Sequence, residues 1–217
     1  MESLLGDWVM LVGIDLDNTI ICYDNALHGI ALERGLISSD TPKIKRIIRD
    51  EVRAEHGEIE WQKLQVAIYG THMQRAELMD GVWDFLLGLK ERGIKFQIVS
   101  HKTRYPNYGE NKINLRAAAM DFLQQHNFFA ESGLGLTEDD VFFLSTRAEK
   151  IATIRELNCF LFIDDLKEFF LEPDFPKQTA KILISSELNI DRLDMTILPD
   201  FAQISEFVST GIKNGRI

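Results

Sequence analysis

The sequence predicts an α/β protein built on a doubly wound parallel sheet, with a small helical module inserted after the first strand. Three observations predict it. Five or six short apolar runs rich in β-branched and aromatic residues alternate with helix-period segments, the pattern of βαβ units. The runs are apolar throughout rather than at every second residue, as strands buried on both faces must be. Roughly residues 21 to 79 then separate the first strand from the helix that leads to the second, far more than one crossover helix needs.

The first run is "MLVGIDL", beginning at Met10. The inserted interval reads as helices in "NALHGIALERG", "TPKIKRIIRDEVRAEH" and "EWQKLQVAIYGTHMQRAELM". Pro42 is a helix-start signal there, and Gly35, Gly57 and Gly70 are breaks. Helix "GVWDFLLGLKERG" (81–93) leads to strand "IKFQIVS" (94–100), and "INLRAAAMDFLQQH" (113–126) places Leu115, Ala118, Ala119, Phe122 and Leu123 on one face. "FFAESGLGLTEDDVFF" reads as a loop leading into strand "VFFLS" (141–145), with Glu138 to Asp140 solvated. Helix "RAEKIATIREL" (147–157), strands "CFLFIDD" (159–165), "KILIS" (181–185) and "MTILP" (195–199), and helix "DFAQISEFV" (200–208), N-capped by Asp200, complete the pattern. The expected division is a core of residues 1–20 and 80–217 and a helical module of residues 21–79, placed to act as a lid over the carboxyl ends of the strands.

Composition narrows the function. A chain of 217 residues, 45% hydrophobic and 27% charged, belongs with soluble globular proteins. Its net charge of −10 argues against a nucleic-acid surface; an anionic ligand would have to meet a local cation. The two cysteines, Cys22 and Cys159, are far apart and lie in apolar surroundings, as reduced thiols do. Glu2 and Asp7 stand where a secretory leader carries positive charge, and no apolar run approaches the roughly 20 residues that span a bilayer. The expectation is a cytoplasmic protein with neither membrane nor nucleic acid as partner.

Ligands of open α/β sheets bind at the carboxyl ends of the strands. The residues ending the runs here are Asp15 and Asp17, Ser100, and Asp164 and Asp165, with Lys150 opening the helix before the last pair. Four carboxylates gathered at one edge cannot all stay ionised without a cation between them. An all-oxygen ligand set favours a hard ion, and Mg²⁺ fits best. One aspartate of the first pair can then serve as nucleophile and metal ligand while the other exchanges protons with the same reacting group.

"DLDNT", followed in order by the hydroxyl of "IVSHK", the lysine of "EKIATIREL" and the paired acids of "FLFIDDL", resembles the haloacid dehalogenase-like (HAD) hydrolase superfamily. The resemblance covers nearly the whole chain, and the inserted module stands where that family's C1 helical cap does. It implies a HAD-like, Rossmann-like core and a Mg²⁺ cofactor. It implies that Asp15 is the nucleophile that forms an aspartyl-phosphate, and that Asp17 is the general acid/base, its backbone carbonyl also reaching the metal. Ser100 would donate to a phosphoryl oxygen, Lys150 would offset charge, and Asp164 with Asp165 would ligate the metal. Arg147 and Lys102 are alternatives for the role of Lys150.

Asn18 and Thr19, in the turn after the aspartate pair, and His101 and Lys102, in the loop 101–112, are candidates to touch substrate, with Arg104 and Tyr105 beside them. In the cap, Tyr23, Asn25 and His28 follow the first motif closely, and Trp61, Tyr69, His72 and Arg75 lie on the later helical stretch. Within the family, an acid at Asp17 points to phosphatases and mutases rather than to attack on carbon halides. Phosphonatases use a cap lysine, and nothing singles out one of Lys43, Lys45 and Lys63. The expected activity is hydrolysis of a small phosphorylated metabolite, a sugar phosphate or a nucleoside monophosphate. A phosphomutase of the β-phosphoglucomutase type and a non-catalytic binder are the rivals.

Overall fold

The structure, a computed structural model, describes residues 10–106, 113–186 and 194–213. Six strands form one parallel sheet: β1 (Leu11–Ile14), β4 (Lys95–His101), β5 (Val141–Leu144), β6 (Leu161–Asp164), β7 (Ala180–Ile184) and β8 (Thr196–Leu198). Their order is β5-β4-β1-β6-β7-β8, so the first strand is central and its neighbours were added outward on either side. All five pairings are parallel.

Continuous apolarity has its reason in two packed faces. Alternate residues of one strand point to opposite sides: Ile98, Ile163 and Ile182 enter one hydrophobic cluster, while their neighbours Val99, Phe162 and Leu183 enter another. The first cluster is covered by α3 (Val82–Glu91), α4 (Leu115–Gln125) and α7 (Phe201–Lys213), through residues such as Phe85, Leu86, Phe122 and Ile204. The second is covered by α5 (Arg147–Glu156) and the short α6 (Lys167–Phe170), through Ile151, Ile154, Phe169 and Phe170. Asp200 caps α7 by accepting the N–H of Gln203 at 2.8 Å.

The interval after β1 is helical, with α1 (Asp24–Glu33) and α2 (Lys45–Tyr69). α2 begins three residues after Pro42. It is two helical segments meeting at Gly57, whose φ of 87° and ψ of 170° are outside the helical region. Two strands of two residues each, absent from the sequence-level pattern, pair antiparallel where the chain leaves for this module and returns: β2 (Ile21–Cys22) and β3 (Glu77–Leu78).

The stretch 138–140 is a turn of 3₁₀ helix rather than loop; Glu138 and Asp139 are exposed, as expected, whereas Asp140 is partly buried. The Asp140 carboxylate accepts from the Thr137 N–H and hydroxyl (2.9 and 2.8 Å) and from the Gln97 amide (3.2 Å), joining that turn to β4. Among the described residues, no helix is long and apolar enough to cross a membrane.

Candidate active site

Register brings the candidate residues together. Ile14 is paired with Ile98 on one side and Ile163 on the other, so Asp15 emerges beside Asp164 and close to the end of β4, where Ser100 lies. The Asp15 N–H donates to the Ile163 carbonyl at 2.9 Å, which prolongs the ladder by one residue and fixes where its carboxylate begins. The chain then reverses. The Leu16 carbonyl accepts from Ile20 and Ile21, each at 2.9 Å, and Asn18 takes the left-handed conformation (φ 59°) that asparagine tolerates.

Lys150 reaches into this edge from the first turns of α5. Thr146 and Glu149 form a reciprocal cap that fixes where α5 starts and therefore where Lys150 points. Its ammonium donates to Asp15 Oδ1 at 2.6 Å and to Asp164 Oδ2 at 2.7 Å, and stands 4.4 Å and 5.2 Å from the ring centroids of Phe169 and Phe162. The other oxygen of Asp164 accepts the Leu166 N–H at 2.8 Å. Arg147, the alternative cation, turns outward to Glu172 at 3.5 Å and stays half-exposed.

Burial pushes the Asp15 carboxyl well above the usual carboxylate range. Lys150 opposes that shift, and Asp164, Asp165 and Asp17 reinforce it. Asp165 is likewise raised from 3.8 to about 7, by burial first and the charge of Asp164 second. One oxygen from each of Asp15, Asp164 and Asp165 lies within 4.8 Å of the others. A donor set of oxygens alone, carrying more negative charge than its surroundings accept, fits a hard divalent cation. Asp17 contributes no side-chain oxygen to this group; its carboxylate points toward the cap.

There Asp17 accepts the Tyr23 hydroxyl at 2.5 Å and the Lys102 ammonium at 2.8 and 3.0 Å. Tyr23 meets Tyr69 edge to face at 4.7 Å between centroids. The Tyr69 hydroxyl in turn accepts from Lys45 at 3.0 Å. Burial pulls the Lys45 ammonium down, but Tyr69 and the charges of Asp165 and Asp17 together hold it above its ordinary value. Of the three cap lysines, Lys45 thus faces the site, whereas Lys63 pairs with Glu60 and Lys43 with Asn25.

Among the described residues, the buried hydroxyls of Ser100 and Thr19 have no hydrogen-bond partner. Such groups are costly to bury and call for a ligand or ordered water. Asn18 and Thr19 offer no free main-chain donors, because their N–H groups are held by the Ile21 and Leu16 carbonyls within the turn. His101 is exposed, and its Nε2 donates to the Ser145 carbonyl at 3.1 Å. Arg104 lies against Tyr105, which is exposed; residues 107–112 of that loop lie outside the described residues.

Several cap candidates are structural. His28 donates to the Thr41 carbonyl (2.9 Å), Arg75 pairs with Glu33, Asn25 donates to Glu77, and Trp61 is buried in the core cluster. Arg116, which sequence reasoning missed, donates to the Lys102 carbonyl at 2.8 Å. No local pattern marks it, since it is one more arginine on an amphipathic helix.

Neither a family model nor a curated protein sequence matches the chain. Solved structures do. A haloacid dehalogenase-like family hydrolase from Xanthomonas campestris aligns with a TM-score of 0.55 at 11% identity, over 96% of this chain and 99% of that one. A HAD family hydrolase from Deinococcus radiodurans, with bound phosphate and sodium, aligns with 0.54 at 14% identity, over 93% and 96%. A predicted phosphoglycolate phosphatase from Haemophilus somnus aligns with 0.51 at 16% identity, over 94% and 100%. Identities this low speak for architecture, and coverage of nearly both whole chains includes the inserted helices: the chain has the fold of the haloacid dehalogenase-like hydrolases.

Proposed function

We propose that this protein is a Mg²⁺-dependent phosphatase that hydrolyses a small soluble phosphomonoester, a sugar phosphate or a nucleoside monophosphate, in the cytoplasm. The observation that carries the proposal is the Asp15 carboxylate, held by Lys150 against Asp164 at the sheet edge, with Asp17 two residues on and turned to separate partners.

Asp15 attacks phosphorus, and the bond from phosphorus to the leaving oxygen breaks as that oxygen takes a proton from Asp17. A water molecule then gives a proton to Asp17 as it attacks the aspartyl-phosphate, which releases inorganic phosphate and restores Asp15. Phosphoryl transfer spreads negative charge over three equatorial oxygens. Lys150 and the unpartnered Ser100 hydroxyl are the chain's own groups for meeting that charge. Asp15, Asp164 and Asp165 would hold Mg²⁺, which when bound supplies further positive charge for the phosphoryl oxygens. Tyr23, Tyr69 and Lys45 close the cap side of the site and keep bulk water from the acyl phosphate.

The test is phosphate release from a panel of sugar phosphates, nucleotides and p-nitrophenyl phosphate, in Mg²⁺ and in EDTA, for wild type beside Asp15→Asn. Release is expected to need both the metal and Asp15. Substantial turnover by Asp15→Asn would overturn the assignment. Interconversion of sugar phosphates without net release would make the protein a mutase, and Mg²⁺ and ligand binding without turnover would make it a binder.

A further inference from the structure

A second buried lysine is left over from this chemistry. Lys102 is 5% exposed, and burying an ammonium so deeply is costly unless it is paired. Its partner is Asp17, both of whose oxygens lie within 3.0 Å of the ammonium. The backbone beneath that side chain is fixed at both ends. The Lys102 N–H donates to the Leu144 carbonyl at 2.9 Å, and its carbonyl accepts from Arg116, which also holds the Ser145 hydroxyl at 2.9 Å. Tyr69 of the cap stands 5.0 Å, centroid to ammonium, on another side. From the start of the cap the Tyr23 hydroxyl completes the grip on Asp17 Oδ1.

We propose that Lys102 and Tyr23 are positioning residues for Asp17, a lysine of the core and a tyrosine of the cap that together aim its carboxylate at the leaving oxygen. The proposal rests on the phosphatase reading above. Neither residue needs to touch phosphate. Their effect runs through the proton that Asp17 delivers, so it should follow how much the leaving group needs that proton.

The experiment compares the alkyl phosphate turned over fastest in the panel with p-nitrophenyl phosphate, whose nitrophenolate departs without protonation. The chains are wild type, Lys102→Met, Lys102→Arg, Tyr23→Phe, Asp17→Asn and the double variant Lys102→Met with Asp17→Asn. The value of kcat/KM reports the steps through departure of the leaving group. For Lys102→Met it is expected to fall about 100-fold on the alkyl ester, the scale of a lost acid catalyst, and to change little on the aryl ester. By contrast kcat should fall on both, because water attack follows in each case. Lys102→Arg, whose fork can still reach a carboxylate, should recover part of the alkyl activity. In the double variant Lys102→Met should add nothing to Asp17→Asn.

Should Lys102→Met fail to fold, Tyr23→Phe removes one hydroxyl and is expected to lower the alkyl-to-aryl ratio about tenfold. Equal losses of kcat/KM on the two esters would overturn the positioning role, as would additive losses in the double variant. A wild type that releases phosphate from no ester overturns the phosphatase reading and the positioning role with it. An active wild type whose alkyl-to-aryl ratio is indifferent to both substitutions overturns the positioning role alone.

Discussion

Lys150 and Lys102 both face carboxylates at the same sheet edge, yet they belong to differently built halves of the site. Lys150 bridges two carboxylates that end core strands, and two phenylalanine rings of the core lie beneath it. Everything that fixes it is present once the sheet, α5 and α6 have formed. Lys102 serves a single carboxylate whose side chain is 22% exposed and which it shares with a tyrosine of the inserted module. The carboxylates that Lys150 bridges are thus matched within the sheet, whereas the grip on Asp17 is complete only with the module seated. Buried charge is matched within a rigid frame in one case and across a seam in the other.

The strongest way to break this comparison is to remove each lysine in turn. Lys150→Met strips the cation from two buried carboxylates and is expected to lower kcat by about 100- to 1000-fold. In EDTA at alkaline pH it should also cost about 3–5 kcal/mol of stability, or about 10 °C in Tm. Lys102→Met leaves a carboxylate that keeps the Tyr23 hydroxyl and some water, and should cost about 1 kcal/mol. Thermal melts of the two variants side by side decide it, and equal losses would erase the distinction.

A smaller effect should appear in the pH dependence of the metal-free protein. Asp165 is raised from 3.8 to about 7 in the folded chain. Between those values the folded chain keeps a proton that the unfolded chain has lost. The contribution of this group to stability is therefore fully present below about 4 and lost as pH rises toward 7. Melts in EDTA should show that decline. Added Mg²⁺ should reverse it, most strongly near pH 7 and above, because the cation replaces the proton. Asp165→Asn should flatten both effects.

The least effect is expected at the rim. His101→Ala removes an exposed ring tied to the Ser145 carbonyl and should change kcat/KM by no more than about twofold, the scale of an ordinary surface substitution. A tenfold loss would bring His101 into the site after all.

What the sequence made legible follows from how local each feature is. The six parallel strands announce themselves because burial on two faces demands unbroken apolar runs, and their carboxyl ends could be marked from those runs alone. Gly57 showed the break inside α2 because only glycine takes its backbone angles readily. The pairing of β2 with β3 stayed hidden, since two residues per strand carry no period. Lys102 could be placed near the site, but its partner lies 85 positions away in the chain, and no local pattern records a side chain's direction. Asp140 read as solvent-facing for the same reason: its partners on β4 and in its own turn exist only after folding.

Gly13 stands two residues before Asp15 on the central strand. A Cβ built there would come within 2.5 Å of the Phe162 ring and 3.0 Å of the Cys159 sulfur. That ring is one of the two beneath Lys150, so it presses against bare backbone on one side and supports the ammonium on the other. A single methyl at position 13 would be transmitted through the ring to the ammonium that pairs with Asp15. The vicinity of Asp15 therefore holds a step in sequence space that is barred by volume alone, at a residue with no chemistry of its own.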